Sequence, residues 1–86
     1  MLESIKLALR IKGNAIDEDI KESIAAAKLD LKISGITKID DTDPLIIQAI
    51  KTYCKAEFWD VKDSEKYKSS YESLKQHLSL CGDYNA

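Results

Sequence analysis

Apolar residues in the first half of the chain return at helical rather than alternating spacing. Ile16, Ile20, Ile24, Ala27 and Leu31 follow one another at intervals of four, four, three and four, which stacks them in one narrow arc. The pattern predicts a helix over about residues 17–34. Its acidic first turn, Asp17-Glu18-Asp19, suits the positive end of a helix dipole. Gly35 followed by Ile36 suits a left-handed C-terminal cap with an apolar contact behind it. On the opposite side Ala25, Ala26, Leu29 and Ile33 form a second apolar strip, edged by Lys21, Lys28 and Lys32. A surface helix needs only one apolar face.

Three further helices are predicted. The first, over about 2–11, gathers Leu2, Ile5 and Leu9 and stops before the turn pair Gly13-Asn14. The third, about 44–59, opens with an N-cap acceptor, Asp43, and proline at the first helical position. Its apolar arc of Leu45, Ala49, Tyr53 and Ala56 is widened past a half-turn by Ile46, Ile47, Ile50, Cys54 and Phe58, so the helix is central or covered by another subunit. After a turn over 60–64, the fourth runs over about 64–80 with a single stripe of Tyr67, Tyr71, Leu74, Leu78 and Cys81. Gly82 is read as its end, and Asp83 to Ala86 as a fraying terminus. The expected fold is all-α, a compact bundle of about four helices in a single domain, 1–86.

Length fits that bundle: 86 residues fold to roughly 5,100 Å² of surface, enough for one modest core. Thirteen Lys and Arg stand against fifteen Asp and Glu, an unfavourable balance for gripping phosphates. No apolar run reaches the length of about 20 residues that spans a bilayer, and Met1-Leu2-Glu3-Ser4-Ile5-Lys6 lacks the order of a signal peptide. The expectation is a protein that stays inside the cell, off the membrane, with Cys54 and Cys81 reduced.

Candidate chemistry is sparse. Asp40, Asp41 and Asp43 suggest calcium until the EF-hand slots for glycine and glutamate are found to hold Leu45 and Lys51; capping is the better reading. His77, Cys81 and Cys54 supply three zinc-type ligands without a fourth at recognisable spacing. No base stands beside a Ser or Cys in a nucleophile motif. Glu57 lies inside the apolar arc near a helix end, where it snorkels or pairs with a lysine. A helix-turn-helix is disfavoured, because the turn Pro44-Leu45-Ile46-Ile47-Gln48 offers only Gln48 to a base. The lysine stripe reads as a solvated face. The expectation is a non-enzyme with no catalytic residue, cofactor or metal.

What stands out is apolar surface in excess of one core: Ala25, Leu29 and Ile33, the flank Ile46, Ile47 and Phe58, and Trp59 with Val61 at a turn. A protein interface explains it best, the alternative being a tightly folded four-helix core.

The order of these segments resembles a known family. Ile5-Lys6-Leu7-Ala8-Leu9-Arg10-Ile11, then Asp17 through Ala27, resembles the opening of the small head-tail connector (DNA-packaging, head-completion) proteins of tailed bacteriophages. Asp43-Pro44-Leu45-Ile46-Ile47-Gln48-Ala49-Ile50, Tyr53, Phe58 and Tyr67-Lys68-Ser69-Ser70-Tyr71-Glu72-Ser73-Leu74 continue the likeness over nearly the whole chain. The resemblance implies an all-helical structural virion protein, built in the host cytoplasm and placed at the head-tail junction. There it would form a ring of about a dozen copies on the portal protein. That ring would extend the DNA channel after packaging and dock the next connector, stopper or tail protein, while DNA passes without specific binding. No catalytic residues come with the family. From the helical layout, Ala25, Leu29, Ile33, Ile47 and Trp59 are the expected subunit contacts. The competing reading is a small helical regulator or adaptor that binds a partner protein as a dimer; a DNA-binding regulator would require steeply salt-dependent binding to duplex DNA.

Overall fold

Helical periods become helices in the computed structural model, which describes residues 1–59 and 61–85. They are α1 (Leu2–Leu9), α2 (Asp17–Ile33), α3 (Pro44–Phe58), α4 (Val61–Ser79) and the short α5 (Gly82–Asn85). No strand occurs among the described residues, and the fold is all-α. Of the two readings its wide apolar arc allows, the structure shows the central one: α3 packs against α1, α2 and α4. Ile5, Ile20, Leu31, Ile36, Ile50 and Leu78 are at most 1% exposed, each fully buried aliphatic side chain stabilising the fold by about 1.5–3 kcal/mol.

Both α1 and α2 end in the same device. Gly35, at φ 95°, turns the chain left-handed so that its N–H reaches Lys32 O (3.0 Å) and the Ile36 N–H reaches Leu31 O (3.1 Å). Ile36 is then driven into the core at 0% exposure, the apolar contact that completes this cap. At α1 the left-handed residue is Arg10, φ 59°, whose N–H bonds Leu7 O while Ile11 N–H bonds Lys6 O, at 3.1 and 3.0 Å. The helix predicted to continue to about residue 11 therefore stops at Leu9. Arg10 carries no glycine signal, so the earlier stop was hidden.

At the start of α3, Asp43 Oδ1 accepts from Leu45 N–H at 2.9 Å and Pro44 occupies the first helical position. The α3–α4 turn is tighter than expected. α4 begins at Val61, three residues before the predicted Ser64, and the Ser64 hydroxyl instead donates to Ala56 O at 2.9 Å. Lys62 and Asp63, placed in the predicted turn, are exposed residues of a first helical turn. Asp60, placed in the predicted turn, lies outside the described residues.

The C-terminal segment also departs from expectation. Gly82 begins α5 rather than ending α4, and Leu80 and Cys81 make the break. Asp83 and Tyr84 do not fray: Tyr84 O accepts Thr37 N–H (2.7 Å) and Lys38 N–H (3.1 Å). The Tyr84 hydroxyl donates to Asp43, which raises its pKa. Two backbone donors of the α2–α3 linker are thus satisfied by one residue from the far end of the chain. Ala86 lies outside the described residues.

Candidate functional site

Along the second face of α2, Ala25 and Ala26 are exposed, with Leu29 at 58% and Ile33 at 76% exposure. Two apolar side chains that large, one helical turn apart, are held out of the core because the opposite arc of α2 already fills it. The surface is concave. Leu29 and Ile33 wall an open groove of about 560 Å³ whose far side is formed by Tyr53 and Ala56 of α3 and Tyr71 of α4. A second hollow of about 400 Å³, between Lys28, Lys32, Thr37 and Ile39, lies on the other flank of Leu29. Leu29 is the ridge between them.

Polar groups stiffen the groove. Tyr71 stands edge-on to Tyr53 with ring centroids 5.1 Å apart, and its hydroxyl donates to Asp30 Oδ2 at 2.6 Å. Lys75 Nζ reaches the same oxygen at 3.1 Å and also Glu72 at 3.1 Å. Partial burial pushes the Asp30 carboxyl up, but the hydrogen bonds from Tyr71 and Lys75 and the Lys75 charge outweigh it and hold the pKa below the usual value. Burial first, and then the Asp30 carboxylate, push the Tyr71 hydroxyl well above the ordinary tyrosine range. Despite desolvation, Asp30 and Glu72 raise Lys75. The network fastens α4 to α2 across the groove floor, and Glu57, Lys68 and Glu72 stand at its rim.

Of the expected contacts, Leu29 and Ile33 line the groove, with Ala25 exposed on the same helix. Ile47 and Trp59, both half-buried, do not line it. Twelve residues of helical rise separate these two by about 18 Å along α3. Trp59 packs edge-on against Tyr67 at 5.1 Å, with Lys55 Nζ 5.3 Å from its ring centroid. Ile46, read as surplus, is wholly buried, and Phe58 packs on the core. Periodicity placed both at the edge of a wide arc but could not show that the packed core reaches that edge. Tyr53, Tyr71 and Asp30 were missed as groove residues because the tyrosines fit the core stripes and one aspartate in an apolar strip carries no spacing signal.

The other candidates take ordinary roles. Asp43 caps α3; Asp40 Oδ1 accepts from Thr42 N–H (2.8 Å) and hydroxyl (2.7 Å). Asp41 pairs with Lys28 at 2.8 Å and Glu18 with Lys21 at 3.3 Å, so two lysines of the stripe are engaged locally. Cys54 is buried, its Sγ 3.7 Å from Ser23 Oγ, and burial raises its thiol pKa. Cys81 is half-buried, while His77 and Glu57 are exposed. No three His, Cys, Asp or Glu cluster as metal ligands among the described residues, and no helix among them is long and apolar enough to cross a membrane.

Lys6 was also unforeseen. It is 7% exposed, with Nζ 2.9 Å from Asp17 Oδ1 and 3.2 Å from Asn14 Oδ1. Its charge compensates an Asp17 oxygen that is buried and takes no well-aligned hydrogen bond. The pair ties α1 to the start of α2.

The distinguishing surface of this small all-α protein is an apolar, rigidly backed groove, a class of surface that marks contact sites. Residues 1–85 match the family described as phage connector protein. The chain belongs to that family, whose members are structural components of the virion that contact other virion proteins. No curated protein and no solved structure matches it.

Proposed function

We propose that the protein is a head-tail connector that assembles as a ring on the portal after DNA packaging, extends the DNA channel and offers a docking surface to the next connector, stopper or tail protein. It acts at the head-tail junction after synthesis in the host cytoplasm, without enzymatic activity or cofactor. Exposure of Leu29 and Ile33 beside the groove carries this reading, since a surface of that kind on a connector-family chain is best used in contact between subunits. Ala25, Leu29 and Ile33 form one contact surface; Ile47 and Trp59, at opposite ends of α3, are separate contact points. A net charge of −2 suits a channel through which DNA slides, because strong phosphate binding would hold it.

Electron microscopy of lysates from a phage or prophage lacking this gene tests the reading. Free tails beside untailed or emptied heads are expected. Normal tailed particles would reject it and favour the dimeric regulator or adaptor.

A further inference from the structure

Within the described residues the large exposed apolar side chains are Leu7, Leu29, Ile33, Leu45 and Leu80. Leu29 and Ile33 belong to the groove, so a second copy that filled it would have to offer one of the other three. The groove's rim selects among them. Glu57 stands unpaired there, Glu72 and Asp30 share the single cation Lys75 at 3.1 Å, and Lys68 is the one exposed cation of the lining, so the groove keeps a net negative charge. Leu45 follows Asp41 and Asp43, and Leu80 lies between His77 and Asp83; neither brings the opposite charge. Leu7, 81% exposed, has Arg10 and Lys12 exposed on its C-terminal side and Glu3 one turn before it. Two bases and one acid around an apolar knob mirror two acids and one base around an apolar groove.

We propose that the groove takes the Leu7 end of α1 from a second copy of this chain. Leu7 enters between Leu29 and Tyr53, Arg10 and Lys12 face Glu57 and Glu72, and Glu3 faces Lys68. α1 ends at Leu9 with Arg10 in the left-handed turn, and the chain beyond it brings Lys12 back to line one shallow hollow together with Leu7 and Glu3. The surface around Leu7, formed with Glu3, Lys6, Ile11, Lys12 and Gly13, shares no residue with the groove, so every copy carries one knob and one socket. Such contacts are head-to-tail and close into a ring or continue as a filament. The assignment rests on the connector reading and names the subunit contact within it.

Charge exchange tests it in full-length protein supplied to a phage or prophage lacking the gene. Arg10→Glu with Lys12→Glu, and separately Glu57→Lys with Glu72→Lys, should each lower the yield of tailed particles at least 100-fold. Combining all four substitutions should restore it to within about tenfold of wild type, because charges of opposite sign face each other again. Glu57→Lys alone, which disturbs no internal ion pair, should lower yield about tenfold and guards against misfolding of the double variant; unchanged circular dichroism and melting confirm the fold. Near-wild-type yield from both double variants, or no recovery in the fourfold variant, would overturn the contact while leaving the connector reading intact. Normal particles from the gene deletion itself would instead reject the connector reading.

Discussion

The two faces of α2 use the same residue types for opposite ends. On one, Ile20, Ala27 and Leu31 are 0% exposed; on the other, Leu29 and Ile33 are 58% and 76% exposed. Hydrophobicity does not distinguish them. Position does: the buried face has α1 and α3 to pack against, and the exposed face borders an open groove whose far side is Tyr53, Ala56 and Tyr71. A second apolar face with no internal partner is thermodynamically tolerable in a monomer, and it is the face on which the proposed subunit contact rests.

The contrast is broken most violently from the buried side. Leu31→Ala should cost about 2–5 kcal/mol, since the removed atoms leave a cavity in a packed core. Urea unfolding would show a lower midpoint with unchanged slope. If Leu31→Ala and Leu29→Ala cost the same, the two faces would not differ as described.

Next in size is the network that separates the faces. Tyr71→Phe removes a hydrogen bond to a carboxylate and should cost about 1–2 kcal/mol near neutral pH. The pH dependence has a definite sign. Because the folded Asp30 pKa lies below its unfolded value, its contribution is present above that unfolded value and is lost as pH falls through the folded pKa. Tyr71 and Lys75 are raised on folding, so theirs is complete below their ordinary values near 10 and is lost as pH rises through the folded ones. Melting temperature should therefore fall at both extremes, and Tyr71→Phe should flatten the alkaline decline while retaining part of the acidic one through Lys75. An unchanged alkaline limb would show that the hydroxyl is not held by Asp30.

Legibility in the sequence followed range. Local codes were readable: the arc of α2, the Asp43-Pro44 start of α3 and the Gly35-Ile36 cap need only neighbours a few residues away. The exposed strip on α2 was readable as well, because a helix of known phase fixes which residues oppose the core. Contacts between distant elements were not. Nothing near Asp30 announces Tyr71, nothing near Tyr84 announces Thr37, and a buried Lys6 looks on sequence like any solvated lysine. The groove is made of such pairings, so sequence supplied its apolar wall and not its floor.

Smaller effects come from the caps that set where the helices stop. Gly35→Ala forces a side chain into a left-handed turn and should cost about 1 kcal/mol, loosening Ile36 from beneath the buried face of α2. Arg10→Gly reverses the situation at α1 and should stabilise by about 0.5–1 kcal/mol. Differential scanning calorimetry would register opposite shifts in melting temperature. Equal signs would mean that the two caps are not the same device.

The smallest effect on stability is expected where the effect on assembly is largest. Leu29 is more than half exposed, and its Asp substitution removes little buried area, so unfolding free energy should change by no more than about 0.5 kcal/mol. In a subunit contact, however, the same substitution puts a charge where an apolar partner must sit and leaves it without a counter-ion once water is excluded. The monomer should remain helical and melt normally while ring growth stops, which electron microscopy of lysates from a phage or prophage carrying the variant would reveal as free tails beside untailed heads. A Leu29→Asp protein that still assembled would place the subunit contact elsewhere and leave the exposed face of α2 for a neighbouring virion protein. Loss of assembly together with loss of stability would mean instead that Leu29 supports the fold, and that the two faces of α2 differ less than their exposures imply.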